Sequence, residues 1–284
     1  MGSQSPPEES TLEHMALYNL DRARKAVAAL QSKPQWEPTD TASFDCMHYL
    51  GDAAIANAAA ELRLEPGQTV LDLGSGFGGT GRYLYHQHGV SAIGIELQPE
   101  IYELAETINQ RTVLPPPQTT TTKATPPTSI NADFLELTLP HKADHIVSFL
   151  CIMHIPDRAR LFRKASALLK PSGGLYIEDF YATQSPLDEE TARLLREVVF
   201  APHLPSREAY TQDLQAAGFG VVKFHDMTAE WAAFVHARAV AYRLDPGHEA
   251  SLARFYDTID LLFAGGQVGG CRITCVNGGE GEVR

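Results

Sequence analysis

The sequence predicts an α/β fold, a mostly parallel sheet of seven strands flanked by helices. Two observations carry this. The first is one stretch, Val70-Leu71-Asp72-Leu73-Gly74-Ser75-Gly76-Phe77-Gly78-Gly79-Thr80-Gly81, where an apolar run breaks into closely spaced glycines and passes into Arg82-Tyr83-Leu84-Tyr85-His86. A buried strand, a glycine-rich turn and a helix in succession make an edge where backbone approaches a ligand and a helix N-terminus offers unpaired N–H groups. The second is the alternation that follows. Short apolar runs exchange with helix-length segments, the βαβ pattern of a parallel sheet with right-handed crossovers.

Residues 1–10 read as a disordered leader, with no apolar signal region. Residues 11–66 read as an N-terminal helical cap. Ala16, Leu20, Ala23, Val27 and Leu30 recur at helical spacing between Thr11 and Leu30, and Lys33-Pro34 to Glu37-Pro38 breaks that helix. The semi-apolar segment Phe44-Asp45-Cys46-Met47-His48-Tyr49-Leu50-Gly51 follows, then an alanine-rich helix from Asp52 to Leu62 stopped by Glu65-Pro66-Gly67.

The core is expected over residues 67–226. Its strands are Thr69 to Leu73, Ala92 to Glu96, Ser129 to Ala132, Asp144 to Leu150, Leu175 to Phe180 and Gly218 to Phe224. Helices are expected from Gly81 onward, from Pro99 to Gln110, Asp157 to Leu169, Glu189 to Val199 and Arg207 to Ala217, with Lys170-Pro171-Ser172-Gly173-Gly174 as a break. Residues 112–128, rich in proline and threonine, cannot build a core and read as a mobile surface insertion. Residues 227–268 hold two further helical stretches, Thr228 to Tyr242 and Glu249 to Phe263, expected as a helical cap over the site. Residues 269–284 supply the last strand, Gly269 to Val276, and a glycine-rich tail expected to fray from Asn277.

The 284 residues carry a formal net charge of -12. That balance argues against nucleic acid or an anionic membrane as partner, and no apolar run reaches the roughly 18 residues of a membrane helix. Cysteines 46, 151, 271 and 275 lack metal-ligand spacing and fit reduced thiols in a cytoplasmic protein. No metal site is expected.

Gly74, Gly76 and Gly79 satisfy the dinucleotide pattern G-x-G-x-x-G, which keeps a nicotinamide oxidoreductase open. Asp72-x-Gly74-x-Gly76-x-Gly78, however, resembles the first motif of the class I S-adenosylmethionine (SAM) methyltransferases, which share a Rossmann-like sheet. The resemblance implies SAM as cofactor and S-adenosylhomocysteine as product, with Asp72, Gly74, Ser75, Gly76 and Gly78 holding the methionine part. Asp72 would repel a pyrophosphate. Ligands of open α/β sheets bind outside the carboxyl ends of the strands. Glu96 and Leu97 at the second strand end are therefore expected on the ribose. Asp133 and Phe134 at the third match the residues that accept the adenine amino group and pack on its ring, although Asp133 also reads as a cap before a turn.

His154, after the fourth strand, is the group expected to titrate near neutrality in an apolar segment, as acceptor-side base or as a helix cap. Glu178 and Asp179 end the fifth strand and are candidates for a cationic acceptor. Phe44 to Gly51 and Ile177-Glu178-Asp179-Phe180-Tyr181 resemble the corresponding segments of the sarcosine/dimethylglycine and phosphoethanolamine N-methyltransferases. In the latter a tyrosine and a histidine form a catalytic pair over the substrate, and Tyr49 and His154 fall on those places. Leu150 departs from the phosphobase enzymes, which carry an acid there, and no Lys/Arg cluster for a phosphate is evident. Trp231, Phe234 and Phe255 read as helix packing or as walls around an ammonium; Trp231 is the candidate acceptor contact among them. The function expected is methyl transfer to a small-molecule acceptor, at an amine nitrogen. O- or C-methylation, and SAM binding without transfer, stay open.

Overall fold

The structure, a computed structural model, describes residues 20–42, 44–45, 48–112 and 124–278. The leader, the first half of the expected N-terminal helix, Cys46, residues 113–123 of the insertion and residues 279–284 of the tail lie outside the described residues.

The elements run α1 (Leu20–Leu30), α2 (Pro38–Thr41), α3 (Asp52–Leu62), β1 (Thr69–Leu73), α4 (Gly79–His88), β2 (Ser91–Glu96), α5 (Pro99–Arg111), β3 (Thr128–Asn131), β4 (Ala143–Phe149), α6 (Arg158–Leu168), β5 (Leu169–Ala182), α7 (Glu189–Leu194), α8 (Arg207–Ala216), β6 (Phe219–Asp226), α9 (Thr228–Leu244), α10 (Ala250–Ala264) and β7 (Val268–Asn277). They form one seven-stranded sheet in the order β3-β2-β1-β4-β5-β7-β6. β7 runs antiparallel to β5 and β6, and the pairs from β3 to β5 are parallel. The order reverses at β1, so the crevice beyond the carboxyl ends of β1 and β4 is the place for a ligand.

Side chains alternate across the sheet. Leu71, Leu73, Ile146 and Ile177 face Phe162 of α6 and Tyr210 of α8. Val70, Val147 and Tyr176 face Ile55 and Ala58 of α3 and Leu84 of α4. Each buried aliphatic side chain contributes about 1.5–3 kcal/mol relative to exposure. α1 packs on Ile101 and Ile108 of α5 and reaches α10 through Arg22 and Glu249, 3.4 Å apart. α9 and α10 cover the carboxyl ends of β4 and β5. Trp231 of α9 lies so close to Gly270 of β7 that a Cβ there would meet its ring at 2.2 Å.

Two local expectations change. Lys170 to Gly174 does not break the chain but begins β5. The register jumps from Ala143↔Leu169 to His145↔Gly174, and Ser172 takes φ 63, so a bulge absorbs the extra residues. Asn277 does not fray: its side-chain amide donates to the Ser166, Leu169 and Lys170 carbonyls and fastens β7 to the end of α6.

Candidate active site

The cavity at the switch point has a polar end and an apolar end. At the polar end, Asp72, Gly74, Ser75, Gly76 and Thr80 line it. Gly74 has φ 75, and a Cβ there would meet Cys151 Sγ at 2.3 Å, so the loop turns only because this residue lacks a side chain. Glu96, at the end of β2, accepts the Gly76 N–H at 3.0 Å and the Gln98 N–H at 2.9 Å. Asp72 is buried, and burial first, the charge of Glu96 second, push its carboxyl up to about 7. Asp72 Oδ2 and Ser75 Oγ are buried without a hydrogen-bond partner among the described residues. Unpaired buried polar atoms are costly, and a buried carboxylate calls for a cation. These acceptors fit the ammonium-bearing methionine part of SAM.

The apolar end is assembled from distant segments. Tyr49, Phe149, Leu150, Met153, Phe180, Val199, Phe255 and Ile259 wall it, with His48, His154 and Arg238 among them. Tyr49 is buried edge-on to Trp231, centroids 4.9 Å apart at 81°, and burial pushes its phenol up to about 12. The Arg238 guanidinium lies over the rings of Tyr49 at 4.8 Å and Tyr256 at 4.4 Å. Arg238 Nε is buried with no hydrogen-bond partner among the described residues. His154 stands on a single 3₁₀ turn, Ile152–His154. Its Nδ1 lies 2.9 Å from the Phe200 carbonyl oxygen, and burial pulls its pKa down to about 4.

Of the residues the sequence singles out, the structure thus brings Tyr49 and His154 into one cavity with Asp72, Gly74, Ser75 and Gly76. Gly78 stands outside that lining. At φ 79 it caps α4, facing Arg82 and Asn109. Leu97 is 57% exposed beside Glu96. Asp133 is exposed, and its Oδ1 accepts the Leu135 N–H at 2.8 Å, whereas Phe134 is buried in the main core with Ile95 and Leu137.

Glu178, Asp179 and Trp231, expected on the acceptor, do not line the cavity. Glu178 Oε1 accepts from Tyr176 Oη at 2.5 Å and Arg272 Nε at 3.0 Å. Asp179 accepts the Met153 N–H at 2.8 Å and the Phe180 N–H at 2.7 Å, so it holds the turn that carries His154. Trp231 is fully buried behind Tyr49 and Phe180.

Asp45, His48 and Arg238 were not singled out. His48 stacks on Phe149 at 4.7 Å. Asp45 makes a buried ion pair with Arg82 at 2.7 Å, and Arg82 also donates to the Phe77 carbonyl at 2.9 Å and to Asn109 at 2.7 Å. That pair ties the segment bearing Tyr49 to the glycine loop. A signal for Arg238 exists in the sequence: with Trp231 and Val235 it continues one stripe of α9, where a charge on an apolar face marks a site.

An open α/β sheet of this order, antiparallel at β7, is the class I methyltransferase fold. The chain belongs to the family described as "Methyltransferase domain", which it matches over residues 47–223. It is 30% identical over 192 residues to phosphoethanolamine N-methyltransferase 1 of Zea mays, covering 64% of this chain and 35% of that one. It is 27% identical over 170 residues to the sarcosine/dimethylglycine N-methyltransferase of Halorhodospira halochloris, covering 58% and 56%. The chain therefore spans about a third to a little over half of these relatives. Among solved structures, mycolic acid cyclopropane synthase CmaA1, complexed with S-adenosylhomocysteine and CTAB, superposes with a TM-score of 0.70 at 19% identity, covering 91% of this chain and 95% of that one.

Proposed function

We propose that this chain transfers a methyl group from SAM to the nitrogen of a small-molecule amine that also carries an anionic group. The observation that carries this is the pairing of unmet demands in one cavity: Asp72 Oδ2 and Ser75 Oγ at one end, His154 Nε2 and Arg238 Nε at the other. The names of the phosphoethanolamine and sarcosine/dimethylglycine relatives support an amine with an anionic partner group. Leu150, in the cavity wall, offers no charge for a free ammonium.

When bound, SAM would supply a sulfonium methyl: the amine lone pair would form the N–C bond, the C–S pair would stay with sulfur, and a primary or secondary nitrogen would then give up a proton. Asp72 meets the cationic end of the cofactor. Tyr49, Phe180 and Phe255 exclude water and orient the acceptor, and positioning of this kind is worth about 7–11 kcal/mol of the barrier in favourable cases. Arg238 meets the acceptor's anionic group. His154, kept neutral by its buried setting, accepts the amine N–H at Nε2 and guides its proton away from the reacting lone pair.

The test is S-adenosylhomocysteine formation by the purified chain with SAM and a panel of ethanolamine, phosphoethanolamine, sarcosine, dimethylglycine and a phenol. Product from an amine that bears a phosphate or carboxylate is expected, heavier by one methyl. Turnover confined to the phenol, or to ethanolamine over its anionic analogues, overturns the acceptor assignment. Absence of product with every compound overturns the transfer itself.

A further inference from the structure

His154 is gripped from two sides. Asp179 holds the backbone of its turn through the Met153 N–H. The ring is held by the Phe200 carbonyl, 2.9 Å from Nδ1. A carbonyl oxygen can only accept, so this contact requires the proton on Nδ1. In the neutral ring Nε2 is then the bare nitrogen, and it is buried without a partner among the described residues. Free imidazole side chains favour the opposite tautomer, with the proton on Nε2, so something in the fold must select this one.

The selecting carbonyl arrives through unusual backbone. After α7 the chain makes one π-turn, Leu195–Val199, and Phe200 closes it at φ 58, ψ 34. The N–H groups of Phe200 and Ala201 both donate to the Leu195 carbonyl. π-turns are rare and gather at functional sites. A bulky, non-glycine residue in the left-handed region is strained, and such strain persists where the surroundings impose it.

We propose that the π-turn and its left-handed Phe200 are a positioning device that holds His154 as the Nδ1–H tautomer, so that Nε2 presents its lone pair to the acceptor end of the cavity. The catalytic use of that lone pair rests on the methyl-transfer reading; the tautomer is a property of the resting protein and is measured without turnover.

The experiment is nitrogen–proton correlation NMR on protein labelled at its 11 histidines, with His154 assigned by its absence in His154→Gln. The wild type should show His154 protonated at Nδ1 and bare at Nε2, and a proton on Nε2 overturns the proposal. Two variants separate the carbonyl from the side chain. Phe200→Gly removes the whole ring but favours the left-handed backbone; Phe200→Val keeps apolar bulk but resists it. Phe200→Gly should retain the tautomer and stay more active than Phe200→Val. Phe200→Val should admit the Nε2–H form and lose about tenfold or more in kcat, less than the roughly 10²–10⁴ of a general base removed outright, at unchanged KM for SAM. Retention of the tautomer in Phe200→Val, or a Gly variant less active than the Val variant, shows that Phe200 acts by packing alone and overturns the proposal.

Discussion

At the glycine-loop end of the cavity the chain presents backbone amides and buried carboxylates; at the cap end it presents aromatic rings, an imidazole and a guanidinium. The first end is made by one continuous stretch, 72–80, with support from Glu96. The second is gathered from the Phe44–Gly51 segment, the end of β4, the π-turn, α9 and α10. Under the proposed function, a cofactor that is cationic at one end and an acceptor that is anionic at the other would be sorted by charge before they meet. The ends also differ in how their charges are handled: Asp72 waits for a ligand to complete it, whereas Arg238 is already stacked on rings and is half-satisfied without one.

If the two ends act separately, substitutions should separate them. The largest effect is expected from His154→Gln, which should lower kcat by about 10²–10⁴ while calorimetric SAM affinity stays within about threefold. Equal losses in both would merge the ends. Asp72→Ala should weaken SAM binding by about 30- to 5000-fold, the cost of removing one partner from a buried charge contact, and leave Tm unchanged or raised, because a buried carboxyl without a partner is lost. A variant that binds SAM normally would move the cofactor elsewhere.

The pH dependence sharpens the same contrast. Asp72 and Asp179 are both pushed up to about 7 by burial. Their folded-state values lie above the unfolded ones, so in the ligand-free protein their contribution to stability is complete below about pH 4 and is lost as pH rises through about 7. His154, pulled down to about 4, adds stability above pH 6.5 that is lost as pH falls through about 4. Asp72 must ionise to meet a cation, so SAM affinity should rise about tenfold per pH unit below 7 and level off above it. Calorimetry on Asp72→Asn should show weak binding with that slope gone; a slope that survives assigns the proton to another group.

Arg238→Met should raise the acceptor KM by about tenfold, in line with loss of one charge-assisted contact, with SAM affinity unmoved. The smallest effect is expected from Leu97→Ala, 57% exposed beside Glu96, which should change SAM affinity by less than about threefold.

The difference between the ends also explains what could be read from the chain. β1, its glycine turn and α4 follow from contiguous residues, and the strand alternation gave the parallel part of the sheet. His154 was legible from its place after the fourth strand in an apolar segment, whereas Tyr49, and its pairing with His154, came through resemblance. Glu178 and Asp179 look alike at a strand end, but alternation across β5 turns Glu178 toward Tyr176 and Arg272 and Asp179 under the 3₁₀ turn. Which carboxylate a strand end spends on its own structure depends on neighbours 26 to 94 positions away. Arg238 was missed because its meaning appears only when α9 is laid against Tyr49 and Tyr256.

The place of β7 in the sheet sets a timetable for synthesis. β6 leaves the ribosome before α9 and α10, yet the strand it pairs with, β7, follows both helices. β6 must therefore wait as an unpaired strand while the cap is being made, and β7 then slots between β5 and β6, bringing Gly270 under Trp231 in the same step. The roof of the cavity and the far edge of the sheet are completed in one event, so a nascent chain halted within α10 carries a glycine loop, five paired parallel strands and an unfinished chamber.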